Sequence, residues 1–263
     1  MALTRRDFLN LTAGVTAGLW VSNRAIGTAA IPKIGAVAFD GFTTFNPQTV
    51  FALAEELFPG KGAELSNAWR TRQFDYAWLR TLSGRYVDFW QVTEDALVFA
   101  ARMLKLDLSL DKRRQLMQAY LEIKAWPDAL PALRTLKDMG IRMAFLSNFT
   151  AAMLDAAVKN SGLEGIFEAH LSTDRVRAYK PDPRAYQMAM DTFGLPRGEI
   201  VFAAFGGWDA AGAKSFGYPT FWINRTSLPV EELGVAPDAI GDNLNDLVRF
   251  VRSKKEQIEF KDF

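Results

Sequence analysis

Cysteine is absent from the 263 residues, and histidine occurs once, at position 170. The first absence excludes disulfides, thiolate metal sites and a thiol nucleophile. The second means that a Ser-His-Asp mechanism or a multi-histidine metal site would rest entirely on His170, whose place just before "LSTD" reads as structural. An excess of one charge is missing too. Lys and Arg number 31 against 30 Asp and Glu, a formal net charge of +1, and the basic residues are spread along the chain. The single-sign field needed for non-specific nucleic-acid binding is therefore lacking. Internal repeats and low-complexity stretches do not occur. Carboxylates, hydroxyls, amides, Lys and Arg must carry any chemistry, in a chain long enough for one large domain or two small ones.

Long apolar runs are also scarce. The nearest to one, "LNLTAGVTAGLWV", follows two arginines in "TRRDFL" and precedes the small-residue run "GTAA" at positions 27–30. The run is too short and too rich in Gly and Thr for a spanning helix. The pattern is that of a twin-arginine export signal occupying residues 1–30, which predicts a periplasmic mature protein that meets the twin-arginine export machinery. The alternative is an ordinary N-terminal helix with two chance arginines and a cytoplasmic protein.

What the rest of the chain does have is alternation. Short apolar runs at 34–39, 142–146, 169–172, 200–204 and 220–223 are separated by amphipathic segments, which predicts an α/β domain around a parallel sheet. Helical patterns fill 151–160, 183–193 and 210–215. After the first run, however, about a hundred residues are helical in character: "AELSNAWRTRQFDYAWLRTL", "TEDALVFAARMLKL" and "LDKRRQLMQAYLEI" each carry an apolar face at helical spacing. These predict a helical insertion over 47–124, with the sheet domain built from 31–46 and 125–250 and a solvated tail from 251 to 263. Ligands of open parallel sheets bind beyond the carboxyl ends of the strands, and an insertion at that edge would close over them.

Each strand end carries something polar. The first run, "IGAVAF", stops on Asp40, with Thr43 and Thr44 in the turn; the second ends at Ser147 and Asn148; the third leads to Lys180 ahead of two prolines; the fourth reaches Asp209 after a Gly-Gly turn. Singly, each has a bland reading: Asp40 as a turn or helix cap, Asp209 as N-cap of a helix from Ala210, Ser147 and Asn148 as a helix start, Lys180 as a surface lysine. Together they place two carboxylates, an ammonium and a hydroxyl-amide pair at one sheet edge. A desolvated Asp40 kept ionised by Lys180 could act as a nucleophile, with Asp209 positioning or activating water. In the insertion, Arg70, Phe74 and Trp78 stand at i, i+4 and i+8 on one helical stripe, so Arg70 either snorkels or faces an anion.

These residues resemble the haloacid dehalogenase superfamily, and within it the L-2-haloacid dehalogenases. The matches are Phe39-Asp40 with Thr44, "WR" at 69–70, "YAWLR" at 76–80, "RYVDF" at 85–89, "TEDAL", "LSN", "YKPDPRAY" and "WDAAGAKSFGYPTFWINR". The resemblance implies a Rossmann-like core with a helical cap inserted after the first strand, a homodimer, and hydrolytic dehalogenation of short-chain 2-haloacids without a cofactor or metal. Asp40 would displace halide to form an ester, Lys180 would balance charge and Asp209 would serve hydrolysis. Ser147 and Thr44 would hold the substrate or the Asp40 carboxylate, while Arg70 and Asn148 assist the departing halide. Phe42, Phe89 and Trp208 match pocket-lining positions, and Tyr186 matches a supporting tyrosine.

The sequence departs from that pattern in places. Phe42 stands where phosphatases of the superfamily carry a second Asp, which argues against phosphatase chemistry; many dehalogenases have Tyr there. The turn reads Thr43-Thr44 in place of Gly-Thr, and a loop bent differently is the expectation. Ala204 and Gly206, flanking Phe205, replace the usual Ser and Asn. The alternative is a catalytically weakened or re-specialised member: one slow in ester hydrolysis, another Asp40-nucleophile hydrolase, or a non-catalytic binder of a small carboxylate.

Overall fold

The computed structural model describes residues 33–259, and the segment expected as an export signal lies outside them. Five runs of the sequence become parallel strands of one sheet: β1 (Ala36–Phe39), β4 (Arg142–Ser147), β5 (Ala169–Ser172), β6 (Ile200–Ala204) and β7 (Thr220–Ile223). A sixth, β8 (Ala239–Gly241), completes the order β5-β4-β1-β6-β7-β8. It is three residues long, with Ile240 half exposed at the sheet edge, and it lacked the apolar run that marked the others. Phe39 pairs with Phe145 on one side and Ala203 on the other. The chain builds outward from β1 in one direction and then, from β6, in the other, so β1 and β6 flank the switch in strand order where α/β sheets hold ligands.

All four residues of β1 are fully buried, because helices cover both faces of the sheet. Side-chain alternation divides the core into two layers. Val37, Phe39, Phe145 and Val201 face a layer that continues into the helical insertion through Trp69, Phe89 and Leu97. Ala38, Ala144, Leu146 and Phe202 face the opposite layer, against Tyr186, Ala189 and Phe193.

The insertion comprises four helices, α2 (Gln48–Leu57), α3 (Gly62–Leu82), α4 (Phe89–Met103) and α5 (Leu110–Leu121), after a one-turn helix α1 (Gly41–Thr44). Its exit and return lie side by side in a two-residue antiparallel ribbon, β2 (Phe45–Asn46) against β3 (Lys124–Ala125). Cap chemistry sets helix starts: Asp88 accepts from Gln91 N, and Ser109 accepts from Lys112 N. The sheet domain adds α6 (Ala129–Asp138), α7 (Ala151–Asn160), α8 (Pro183–Phe193), α9 (Gly207–Phe216) and α10 (Leu244–Glu259). Two expected boundaries shift. Helix α9 starts at Gly207 with Gly206 as its cap, so Asp209 lies inside its first turn and is not the N-cap. Helix α10 runs through position 251, where Val251 is buried, so the tail boundary falls within a helix.

Candidate active site

Asp40 is the first residue past β1, and its two oxygens have different partners. Oδ2 accepts from Phe42 N at 2.8 Å and caps α1, while Oδ1 accepts from Lys180 Nζ at 2.6 Å. The cap contact and the pairing with Lys180 therefore coexist on one side chain. Thr43 Oγ1 donates to Asp40 O at 2.6 Å. Residues 41–44 form a helical turn, and Thr43 is not among the residues with positive φ. Gly41 is the position under constraint: a Cβ there would lie 2.9 Å from Ser147 Oγ.

Lys180 is no surface lysine. Its side chain is fully buried, and Nζ donates to Asp40 Oδ1 at 2.6 Å and Asp209 Oδ2 at 2.5 Å. Burial pulls its pKa down, but the neighbouring Asp209 and Asp40 outweigh it, and the net shift is upward, so the ammonium persists. Asp209, also buried, is pushed up to about 6 by burial, with Lys180 opposing and the charge of Asp40 adding. One cation between two carboxylates leaves a surplus negative charge, and Asp209 is able to take a proton. Tyr186 OH donates to Asp209 Oδ1 at 2.7 Å, which favours the ionised form. Burial holds the Tyr186 phenol itself well above its ordinary range.

Ser147 closes β4, and its Oγ accepts from Phe149 N at 3.1 Å. Asn148 Oδ1 accepts from Lys180 N at 3.1 Å, which leaves its amide nitrogen as the group available to another partner. Neither starts a helix, since α7 begins at Ala151 behind the Thr150 cap. Asp40, Ser147, Asn148 and Asp209 line a cavity of about 250 Å³ together with Arg70, Phe42, Phe89 and Trp208. Arg70 is exposed at this cavity, while Phe74 and Trp78 of its stripe pack on Trp208 at 5.2 and 5.3 Å. Thr44 is the exception among the expected site residues. It is buried beneath the turn, is not part of the cavity lining, and its hydroxyl lies 3.5 Å from Thr43 Oγ1, not on the Asp40 carboxylate.

Sequence reasoning missed several groups. Arg225 follows β7, donates to Asp128 at 2.9 Å and to Thr43 O at 3.3 Å, and stacks over Trp126, whose indole donates to Phe42 O at 3.1 Å. Two carbonyls of the nucleophile turn are thus held from outside. The strand-end logic applied to a fifth strand would have found Arg225. Gln73 and Tyr120 also line the cavity, Gln73 donating to Thr93 Oγ1 at 2.7 Å, and burial pushes the Tyr120 phenol up to about 12. A glutamine on the apolar face of α3 was a signal; Tyr120 on an ordinary amphipathic helix was not. At the departing positions, Ala204 is buried without a polar atom, and a Cβ on Gly206 would lie 2.8 Å from Trp208 Nε1, so the indole fills that space. Among the described residues no three carboxylate or histidine side chains converge as a metal ion would require.

The arrangement presents a buried, cation-paired carboxylate to an apolar cavity beside a second carboxylate able to take a proton, a geometry suited to a covalent ester and its hydrolysis. Comparison with known proteins agrees with it. A model of the haloacid dehalogenase-like hydrolases matches residues 42–217. An (S)-2-haloacid dehalogenase of Pseudomonas sp. (strain YL) is 45% identical over 206 residues, spanning 78% of this chain and 89% of that protein. A solved L-2-haloacid dehalogenase of 46% identity superposes with a TM-score of 0.82, over 84% of this chain and 99% of its own. That from Xanthobacter autotrophicus with chloropropionic acid covalently bound is 34% identical, with a TM-score of 0.76, over 83% of this chain and 98% of its own. With its parallel sheet, helical insertion and paired carboxylates, the chain belongs to the haloacid dehalogenase-like hydrolases, in their L-2-haloacid dehalogenase branch.

Proposed function

We propose that the protein hydrolyses short-chain 2-haloalkanoic acids to 2-hydroxy acids through an ester on Asp40. The observation that carries this is Lys180 Nζ, buried between Asp40 and Asp209 at 2.6 and 2.5 Å beside an apolar cavity. An Asp40 oxygen attacks C2 from the side opposite the halogen, the C–X bond breaks with its electron pair leaving on halide, and C2 is inverted. Arg70 and the Asn148 amide nitrogen receive the halide, and Ser147 holds the substrate carboxylate. Water then attacks the Asp40 carbonyl carbon and Asp209 takes its proton. The acyl–oxygen bond breaks, the departing oxygen takes the proton held by Asp209 and the second water proton passes to solvent, which returns Asp40 as a carboxylate with one oxygen from water and releases the hydroxy acid. Phe42, Phe89 and Trp208 exclude bulk water from the ester. The curated relatives named as haloacid dehalogenases support the substrate class.

The decisive experiment incubates residues 31–263 with each enantiomer of 2-chloropropionate, following free chloride and intact mass, with Asp40→Asn as the control. Multiple turnovers without a lasting adduct support the reading. One chloride per chain with an adduct on Asp40 favours the second reading, a member whose water step is impaired, which the absence of polar side chains at Ala204 and Gly206 motivates. Binding of the acid without chloride release leaves a non-catalytic carboxylate binder.

The "TRRDFL" segment supports export through the twin-arginine machinery to the periplasm, tested by cell fractionation with both arginines replaced by lysine. A homodimer belongs to the same reading, and light scattering measures it.

A further inference from the structure

Lys180 is held at more points than its ammonium. Its backbone N–H donates to Asn148 in the sheet domain, and its carbonyl accepts from Trp78 Nε1 of the insertion at 3.1 Å. One residue earlier, Tyr179 N donates to Thr81 Oγ1, also of the insertion, at 3.0 Å, and Tyr179 OH donates to Val87 O at 2.6 Å. Tyr86, on the loop between α3 and α4, reaches back to Asp174 at 2.5 Å. The segment carrying the lysine is thus fastened to one end of α3 and the loop after it. Trp78 is also two turns from Arg70 on one helical stripe, of which Arg70 and Phe74 line the cavity, and its ring stacks on Phe74 at 6.0 Å.

We propose that Trp78 and Thr81 are positioning residues for Lys180, so that the helix lining the substrate cavity also sets where the ammonium stands between the two carboxylates. This rests on the reading of Lys180 as part of the catalytic machinery. The physical argument is one of tolerance. A side chain anchored at 2.5 and 2.6 Å to two separate carboxylates cannot follow a displaced backbone without losing one of them. Trp78 fixes the carbonyl of Lys180 itself, and Thr81 fixes the backbone one residue earlier, at the Tyr179 N–H. Placement of the insertion over the cavity and the charge balance at Asp40 and Asp209 are then one event, and a substrate that draws in Arg70 also steadies the lysine. The groups facing Nζ are Asp40, Asp209 and the Phe202 ring at 5.1 Å, with Tyr186 on the far oxygen of Asp209.

Two variants test this. Thr81→Val is nearly isosteric and removes the acceptor for Tyr179 N. Trp78→Phe keeps a ring against Phe74 and Trp208 but removes the donor to Lys180 O. Each is expected to lower kcat on 2-chloropropionate by about 10- to 100-fold, with KM within about threefold of wild type on the same argument that only the lysine's pose is altered. The acid limb of the pH profile is expected to move upward, because a loosely held ammonium no longer keeps Asp209 ionised. Leu79→Ala, exposed on the same helix, is expected to keep the wild-type profile. A loss confined to thermal stability or KM, with the pH limb unmoved, overturns the proposal. Crystal structures of both variants decide it independently of turnover: Nζ is expected to leave hydrogen-bond distance of Asp40 or Asp209, and retention of both contacts in both variants overturns it. A wild-type protein that releases no halide defeats the functional reading but leaves that crystallographic outcome standing.

Discussion

Asp209 is the side chain on which the pH behaviour of this site turns. In the proposed mechanism it must be ionised to accept a proton from water, and burial together with the charge of Asp40 holds its pKa up at about 6. Turnover is therefore expected to fall as pH drops through about 6, measured as kcat against pH. No matching alkaline loss is expected near neutrality, because the Lys180 pKa is raised, not lowered. Tyr186→Phe removes a donor that favours the carboxylate, so its acid limb is expected at higher pH than that of wild type. Lys180→Met carries a larger penalty. It leaves two buried carboxylates facing each other without a cation, which costs about 3–5 kcal/mol by analogy with one-sided removal of buried pairs. Urea denaturation at pH 7 measures the loss, which should shrink as pH falls through about 6 and Asp209 takes up a proton.

At the scale of elements, the start of α9 shows how a helix terminus and a pocket wall compete for one position. Asparagine is a better N-cap than glycine by only a few tenths of a kcal/mol. A side chain at 206, however, collides with the Trp208 indole, which is seated against Phe74 and Trp78. Gly206→Asn is thus expected to lower kcat/KM for 2-chloropropionate, although it restores the residue usual in the branch; a gain in kcat/KM would show that the indole yields. Helix α1 presents the opposite case, where the terminus and the site cooperate. The Asp40 oxygen that caps it fixes the carboxylate's rotation, and Arg225 and Trp126 hold the carbonyls of Phe42 and Thr43 from outside. The pattern "FDGFTT" announces the cap through its spacing. It does not announce the clamps, whose partners lie 84 and 182 residues away.

For the molecule as a whole, one group of the site, Asp209, works against stability. Folding raises the Asp209 pKa above the ordinary carboxylate value, so the folded state binds more protons than the unfolded one between about pH 4 and 6. Stability from this group is present at low pH and lost as pH rises through that window, a cost on the order of 2–3 kcal/mol at neutrality. Asp209→Asn is accordingly expected to match or exceed wild type in Tm at pH 7 and to lose that advantage at pH 4. A Tm for Asp209→Asn well below wild type at pH 7 would mean that the ion pair with Lys180 outweighs the desolvation.

Much of this protein follows from short-range pattern. Parallel strands buried on both faces have to be apolar runs, and the five such runs were recognisable, as were the long helices of the insertion with their periodic faces. Polar groups at strand ends singled out Asp40, Ser147, Asn148, Lys180 and Asp209, because a strand that ends on a carboxylate or lysine departs from its own composition. The edge strand β8 was less legible, since a three-residue edge strand carries little periodic signal, whereas the helix through position 251 does carry a periodic apolar face at Leu244, Leu247, Val248 and Val251. Only the tertiary structure decided that Thr44 turns away from the carboxylate, that Asn148 is committed to the Lys180 backbone, and that Arg225, Gln73 and Tyr120 join the cavity. The physical reason is distance along the chain. Hydrophobic periodicity and capping act within a few residues, whereas the pose of Lys180 is settled by partners that lie 140, 102, 32 and 29 positions away and meet only when the core closes.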